Sequence, residues 1–279
     1  MKTVRDVLEL RDLVREARDR GRTVGFVPTM GALHEGHLSL VRLARAETGF
    51  VIVSIFVNPL QFAPGEDLAR YPRREAGDRA ALEREGVHVV YLPEPSAMYP
   101  SGFSTAVEVS GVSEGGEGAA RPGHLRGVAT VVSKLFLQVS PDVAVFGRKD
   151  LQQIAVVRRM IRDLDFPIRL VVGETVRDPD GLALSSRNAY LSPEDRRIAA
   201  AFPRALFEAC DAAGRGEREA ALLTGRVRRD LEAAGLEVGY VDVVDPATME
   251  PVANAVPGTA LAAAVRVGKT RLIDNVLVP

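Results

Sequence analysis

Val4, Val7, Leu8, Leu13, Val14 and Ala17 fall near helical spacing, which predicts an amphipathic helix over residues 3–19. Gly21 follows as a stop. Residues 23–27 then form a short apolar strand, residues 37–47 a helix, and residues 50–57 (FVIVSIFV) a second, purer strand. An apolar run without alternation suits a parallel strand buried on both faces, so strand, helix and strand predict a βαβ unit. The alternation continues with a helix over 74–85 and strands over 87–91 and 104–109. A Gly-rich loop, GVSEGGEGAARPGHLRG, occupies 111–127. A helix over 128–139, a strand over 142–146, a helix over 150–163 and a strand over 168–172 complete the pattern. Residues 1–175 are therefore expected to form a doubly wound, Rossmann-like parallel-sheet α/β domain.

The character changes after Gly173. A turn-rich segment, ETVRDPDGLALSSRN, precedes two long Ala/Arg/Glu helices near 193–213 and 216–234. Strand-like segments follow at 236–244, 260–267 and 270–278, the last two joined through a hairpin at Val267–Arg271. Residues 176–279 thus predict a smaller α+β domain, suited to closing over an active site on the first.

Composition narrows the function classes. Thirty-six Lys and Arg against thirty-seven Asp and Glu leave a net charge of −1, without the basic excess of a nucleic-acid binder. No apolar run approaches a membrane span, and the charged N-terminal segment lacks a signal peptide's unbroken apolar stretch. The single cysteine, Cys210, cannot form an intrachain disulfide, which suits a reducing cytoplasm. With only four lysines, four Asn and four Gln, the chain has a composition compatible with a heat-tolerant source or with a GC-rich genome.

Several motifs fail on inspection. Gly268-Lys269-Thr270 ends like a P-loop, but Ala263 stands where its first glycine belongs and no helix follows. His34-Glu35 opens an H-E-x-x-H zinc pattern that Leu38 does not close. The Gly-rich loop lacks G-x-G-x-x-G spacing after a strand. Cys210 sits in an alanine-rich helix and is expected to be a buried structural thiol, and His88, in an apolar strand, a packed residue.

Three segments carry chemistry. Pro28-Thr-Met-Gly-Ala-Leu-His-Glu-Gly-His37 joins the first strand to the next helix, where doubly wound sheets bind ligands. His34 and His37, with Gly36 between them, lie at a helix N-terminus, which presents unpaired N–H groups and partial positive charge to an anion. After the second strand, Asn58-Pro59 turns the chain and places Gln61, both donor and acceptor, beside the strand ends. Gly147-Arg148-Lys149-Asp150 opens a helix and makes a second anion-ready site, with Lys149 and Gln153 expected on one helical face. Ser185, Ser186, Arg187 and Asn188 supply hydroxyls and a guanidinium on a mobile connection suited to closing over phosphates.

H-x-G-H in this setting is similar to the ATP-binding motif of the nucleotidylyl-transferase superfamily. The longer string PTMGALHEGHLSLV resembles the pantothenate synthetase (pantoate–β-alanine ligase) family. So do SIFVNPLQF (54–62), GEDLARYPR (65–73), ARPGHLRGVATVV (120–132), FGRKDLQQ (146–153) and SSRN (185–188), in family order. Two departures stand out: Arg148 where many relatives carry Glu, and Leu184 where a methionine is usual.

The resemblance implies an ATP-dependent ligase that activates pantoate as an adenylate and transfers it to β-alanine, releasing AMP and pyrophosphate, as a cytoplasmic homodimer with Mg²⁺ on the phosphates. It implies that His34, His37 and Lys149 stabilise charge. ATP contacts would come from Met30, Gly31, Ala32, Leu33, His34, Glu35, Gly36 and His37, then Gly147, Arg148, Lys149, Asp150, Val176, Leu184, Ser185, Ser186 and Arg187. Gln61 and Gln153 would hold pantoate, with Pro28, Met30 and Asn58. Asp78, just past Tyr71-Pro72, is a candidate magnesium ligand, and an exposed helix aspartate explains it equally well. The role of His124 is left open.

Overall fold

The computed structural model describes all 279 residues, Met1–Pro279. The chain forms two compact units, the first made of Met1–Val109, Arg121–Gly147 and Val156–Glu174. The second takes Ser110–Ala120, Arg148–Ala155 and Thr175–Pro279, so two short segments from before residue 175 belong to it.

Six parallel strands build the first unit: β1 (Lys2–Val4), β2 (Val24–Thr29), β3 (Phe50–Ile55), β4 (Val89–Tyr91), β5 (Val143–Gly147) and β6 (Arg169–Gly173). Their order is β1-β4-β3-β2-β5-β6, so the topology reverses at β2 and β5, the switch point at which such sheets bind ligands. In chain order the helices run α1 (Val7–Asp19), α2 (Glu35–Glu47), α3 (Glu75–Arg84), α4 (Pro95–Met98), α5 (Gly116–Ala120), α6 (His124–Val139) and α7 (Leu151–Asp163).

Strand alternation sends Phe26 and Val27 to opposite faces of the sheet. On one, Val27, Val51, Val53, Val143 and Val145 bury Leu40, Val41 and Ala44 of α2 and Leu82 of α3. On the other, Phe26 meets Phe136 of α6 edge to face, and Leu10 and Val14 of α1 are buried. Gly127 permits a closer approach: a Cβ there would collide with the backbone carbonyl of Leu60.

The second unit holds an antiparallel sheet of β7 (Glu237–Val244), β8 (Ala260–Val267) and β9 (Thr270–Leu277). Helices α8 (Pro193–Ala199), α9 (Ala201–Gly214) and α10 (Ala220–Ala233) belong to the same unit. Phe202, Leu206, Leu223, Val227 and Leu231 pack with Val241, Leu261 and Val265 of the sheet. The β8–β9 hairpin turns at Gly268, which has a φ of 54°, as its P-loop-like sequence did not require. Cys210 is buried in α9. No helix is long and apolar enough to cross a membrane.

Four regions differ from the sequence expectation, one being the Gly-rich loop over 111–127, which contains α5 and the start of α6 at His124. The opening helix begins only at Val7, where the Asp6 carboxylate caps the amides of Leu8 and Glu9, and Lys2–Val4 pairs with Val89–Tyr91 as a strand. Residues 104–109 form no strand; the Val107 N–H donates instead to the Thr130 hydroxyl at 3.0 Å. The helix expected over 193–213 breaks at Ala200 into α8 and α9, because Pro203 has no N–H and its ring crowds the carbonyl four residues back.

Candidate active site

The first group of residues is carried by the switch-point strands of the parallel sheet. Pro28 lies near the end of β2, opposite Ser54. At the next position the Thr29 hydroxyl donates to the Ser54 carbonyl at 2.8 Å and accepts the Gly31 N–H at 3.2 Å. Gly31 and Ala32 then take left-handed conformations, with φ of 83° and 50°. A Cβ on Gly31 would lie 2.9 Å from Ile55 Cγ2 and 3.0 Å from Asp78 Oδ2, so the turn needs a glycine. Buried Asp78 of α3 accepts the amides of Ala32 and Leu33 at 2.8 Å each.

This turn delivers His34 as the N-cap of α2, in extended conformation. The His34 amide donates to Nδ1 of His37 at 3.4 Å, and the two rings lie 4.0 Å apart. With Nδ1 as acceptor, the proton of a neutral His37 ring resides on Nε2, which becomes a donor. The Glu35 side chain is tied to Arg42, whose hydrogen bond holds the carboxyl below the usual range. Arg42 bonds Glu85 as well. The start of α2 therefore combines helix N–H groups with imidazoles, a setting that favours a phosphate.

Asn58 and Gln61 form a second cluster of the same unit, and both are buried. Asn58 Nδ2 donates to Gln61 Oε1 at 3.0 Å and to the Gly127 carbonyl at 3.1 Å. Gln61 Nε2 lies 3.0 Å from the Met30 sulfur. The Tyr99 hydroxyl donates to Asn58 Oδ1 at 2.7 Å, and burial pushes that phenol's pKa up. Behind Gln61, Arg121 forks onto Glu66 with both contacts at 2.7 Å, while His124 Nδ1 sits 2.9 Å from the Gln61 carbonyl. Burial works to raise the Glu66 carboxyl, but the Arg121 hydrogen bonds and charge hold it below the usual range.

Apart from Gly147, which closes the first unit's strand β5, the second unit carries the other predicted residues. Gly147 ends β5, and Arg148, Lys149 and Asp150 form the turn before α7. The Lys149 ammonium lies 3.4 Å from the Asp150 carboxylate. Asn275 of β9 donates from Nδ2 to the carbonyls of both Arg148 and Lys149 at 3.0 Å. Gln152, buried, grips the 110–120 segment through the carbonyls of Val112 and Gly115 and the amide of Glu117. Glu117 in turn pairs bidentately with Arg271.

Val176 and Leu184 flank a small hairpin, the Leu184 amide donating to the Val176 carbonyl at 3.0 Å. Ser185 caps the 3₁₀ turn Ser186–Tyr190 through the Arg187 amide. Arg196 binds Asp178 and Asp180, and Arg177 binds Asp274 and the Gly181 carbonyl, so ion pairs and a carbonyl bond hold the 178–181 turn.

The family model for pantoate-beta-alanine ligase matches residues 2–277. The chain belongs to the pantoate–beta-alanine ligase family. It is similar to the pantothenate synthetase of Rhizorhabdus wittichii, 54% identical over 100% of this chain and 99% of that one. The Moorella thermoacetica pantothenate synthetase is 50% identical over 99% and 98% of the two chains. Among solved structures, the Thermus thermophilus pantothenate synthetase superposes with a TM-score of 0.95 at 49% identity, covering 100% and 99% of the chains. A Francisella tularensis pantoate–beta-alanine ligase, solved with beta-gamma ATP and beta-alanine, gives 0.84 at 32% identity, covering 99% and 97%.

Against these family expectations, two residues sit differently from the sequence reading. Lys149 precedes α7, so the four-residue spacing to Gln153 does not place both on one helical face; that rule holds only inside a helix. Asp78 is not exposed: it is buried, and its two oxygens accept the amides of the turn after β2. The residues present make Asp78 a buried anchor of this turn rather than an exposed helix aspartate. Tyr99, Arg121, Glu117, Gln152 and Asn275 were missed, because each acts across a long sequence separation that no local motif records. His124 acquires a place beside the Gln61 carbonyl. His88 accepts the Val51 amide and packs on Phe50, as expected of a packed ring.

Proposed function

We propose that this family member joins pantoate to β-alanine at the expense of ATP, through a pantoyl adenylate. A carboxylate resists nucleophilic attack because of its charge, so it must be activated first. A pantoate carboxylate oxygen attacks the α-phosphorus of ATP, the bond from that phosphorus to the bridging oxygen breaks, and pyrophosphate leaves. The β-alanine amine then attacks the acyl carbon, the bond to AMP breaks, and the amine's proton passes to solvent.

The protein needs to align reactants, stabilise charge and exclude water. The observation that carries the reading is the His34–His37 pair at the start of α2, directly after the switch-point strand β2. In this reading His34, His37 and Lys149 stabilise phosphate charge, with Ser185, Ser186 and Arg187 as further phosphate contacts. Gln61, fixed by Asn58 and Met30, and Gln153 hold pantoate. The ligands of the Francisella structure support ATP and β-alanine as substrates. Magnesium would arrive with the ATP phosphates, and the enzyme would work as a cytoplasmic homodimer.

The test is AMP formation from ATP, measured with each acid alone and with both. AMP release at full rate only with pantoate and β-alanine together is the expected result. Release of ADP, or a stable adenylylated product, would overturn it.

A further inference from the structure

We propose that the Asn275 carboxamide is a positioning group for Lys149, holding the backbone of that lysine where its ammonium can serve adenylation. The inference rests on the assignment of Lys149 to the phosphates made above.

Lys149 lies in a turn ahead of the first residue of α7, so the helix ladder does not fix its backbone. A long, flexible side chain amplifies any looseness at its root. Asn275 supplies the missing restraint: both bonds from its Nδ2, to the Arg148 and Lys149 carbonyls, measure 3.0 Å, and the residue is 3% exposed. Few side chains can do this, because two adjacent acceptors must be met by two N–H donors on one nitrogen.

Asn275 is itself braced. Its amide donates to Asp274 Oδ1 at 2.8 Å, and Asp274, also 3% exposed, receives Arg177 at 2.6 and 2.9 Å. Arg177 reaches the Asn275 carbonyl as well, at 3.4 Å. These contacts use the Asn275 backbone, so they survive a change of its side chain.

A second observation separates positioning from plain hairpin stability. Asn275 Oδ1 is buried without a hydrogen-bond partner. A buried unpaired acceptor is costly, and hairpin pairing would be served as well by an apolar residue. What an apolar residue cannot provide is the pair of N–H bonds to the Lys149 turn.

The test compares Asn275→Asp and Asn275→Ser with the parent enzyme in two half-reactions. Asp is nearly isosteric but turns an oxygen toward two carbonyls; Ser removes the carboxamide and keeps a small polar side chain. Exchange of labelled pyrophosphate into ATP, with pantoate and without β-alanine, reports adenylation. Pantothenate formation from synthetic pantoyl adenylate reports the second half. A small misplacement of a catalytic group costs up to ~10²-fold, so exchange should slow by roughly 10- to 100-fold at saturating substrates. The second half-reaction should stay within about twofold of the parent, a split that general destabilisation does not produce. In a Lys149→Ala background, Asn275→Asp should slow exchange little further, because the two act as a unit.

Near-normal exchange in a folded Asn275 variant, equal loss in both half-reactions, or full additivity with Lys149→Ala would overturn the proposal. So would unfolding of both variants, which would assign Asn275 to stability alone. Normal exchange in Lys149→Ala itself would instead remove the phosphate role of the lysine, and the function reading would need a different cation.

Discussion

The Leu33 amide donates to the carboxylate of Asp78, 45 residues further along the chain, at 2.8 Å. The Ala32 amide takes the other oxygen, so one buried side chain sets the backbone that leads into His34. Asp78→Asn should weaken this seat by exchanging one acceptor for a donor, and Asp78→Ala should remove it. Asp78→Ala takes the acceptor from two part-buried N–H groups, each costing about 1–3 kcal/mol when left unpaired, so denaturant unfolding should register a loss of at least about 1–3 kcal/mol. The KM for ATP should rise in both variants. An unchanged KM would show that the turn after β2 holds its shape without Asp78.

The tautomer of His37 yields a finer prediction. Its Nδ1 accepts the His34 amide, which leaves Nε2–H as the donor toward an anion. Glutamine can place an amide N–H near the Nε2 position, whereas asparagine reaches only as far as Nδ1. His37→Gln should therefore retain more pyrophosphate exchange than His37→Asn, with His37→Ala the slowest. The reverse order of Gln and Asn would locate the working nitrogen at Nδ1.

Lys149 is the residue on which the rate should depend most. In the proposed reaction its charge would gain most as negative charge moves onto the leaving pyrophosphate, an interaction stronger in the transition state than with bound ATP. Removing one such preorganised donor costs ~10²–10³-fold in kcat, and Lys149→Ala should slow exchange by that factor or more. Preformed pantoyl adenylate should bypass most of the defect, since amine attack does not involve pyrophosphate. Lys149→Arg should rescue only partly, because a planar fork does not reproduce a compact point charge.

Gly127 is where helix α6 and the Leu60 carbonyl meet without room for a methyl group. Gly127→Ala must push Leu60 away, and Gln61 with it. Overpacking of this kind costs about 1–3 kcal/mol. We expect a lower Tm together with a raised KM for pantoate and an unchanged KM for ATP. Equal effects on both constants would mean that the strain spreads beyond Gln61.

His88 should make stability fall on the acid side. Burial, with the charges of Arg22 and Arg45 nearby, holds its ring below the ordinary value of 6.5. The unfolded chain therefore takes up the proton first, so the contribution is complete above 6.5 and is lost as pH drops through the folded value. His88→Asn, which keeps an acceptor for the Val51 amide, should flatten the dependence of unfolding free energy on pH as the pH falls below 6.5. An identical slope in the two proteins would assign the loss to other groups.

Most of the strand and helix pattern was legible because it is local. The mainly apolar runs at 50–57 and 142–146 suit strands covered on both faces, and both are interior strands of the sheet. Lys2–Val4 was not legible as a strand, since three residues carry too little pattern and its pairing with β4 lies far along the chain. The H-x-G-H segment announced itself through its position between strand and helix. What holds the segment did not: Asp78, like Tyr99, Arg121 and Asn275, contributes through contacts that depend on the finished fold. The Lys149–Gln153 spacing misled for the opposite reason, since a local rule was applied from a residue two positions before the helix begins.

The bond from Asn275 to the Lys149 carbonyl spans 126 residues. A ribosome adding about 5–20 residues per second needs roughly 6 to 25 seconds to cover that stretch. For all that time a nascent chain already contains the loop with His34 and His37, yet its lysine has no seat. On the proposed reading, competence for adenylation is tied to nearly finished translation, and a partial chain released early would carry the H-x-G-H segment without its seated lysine.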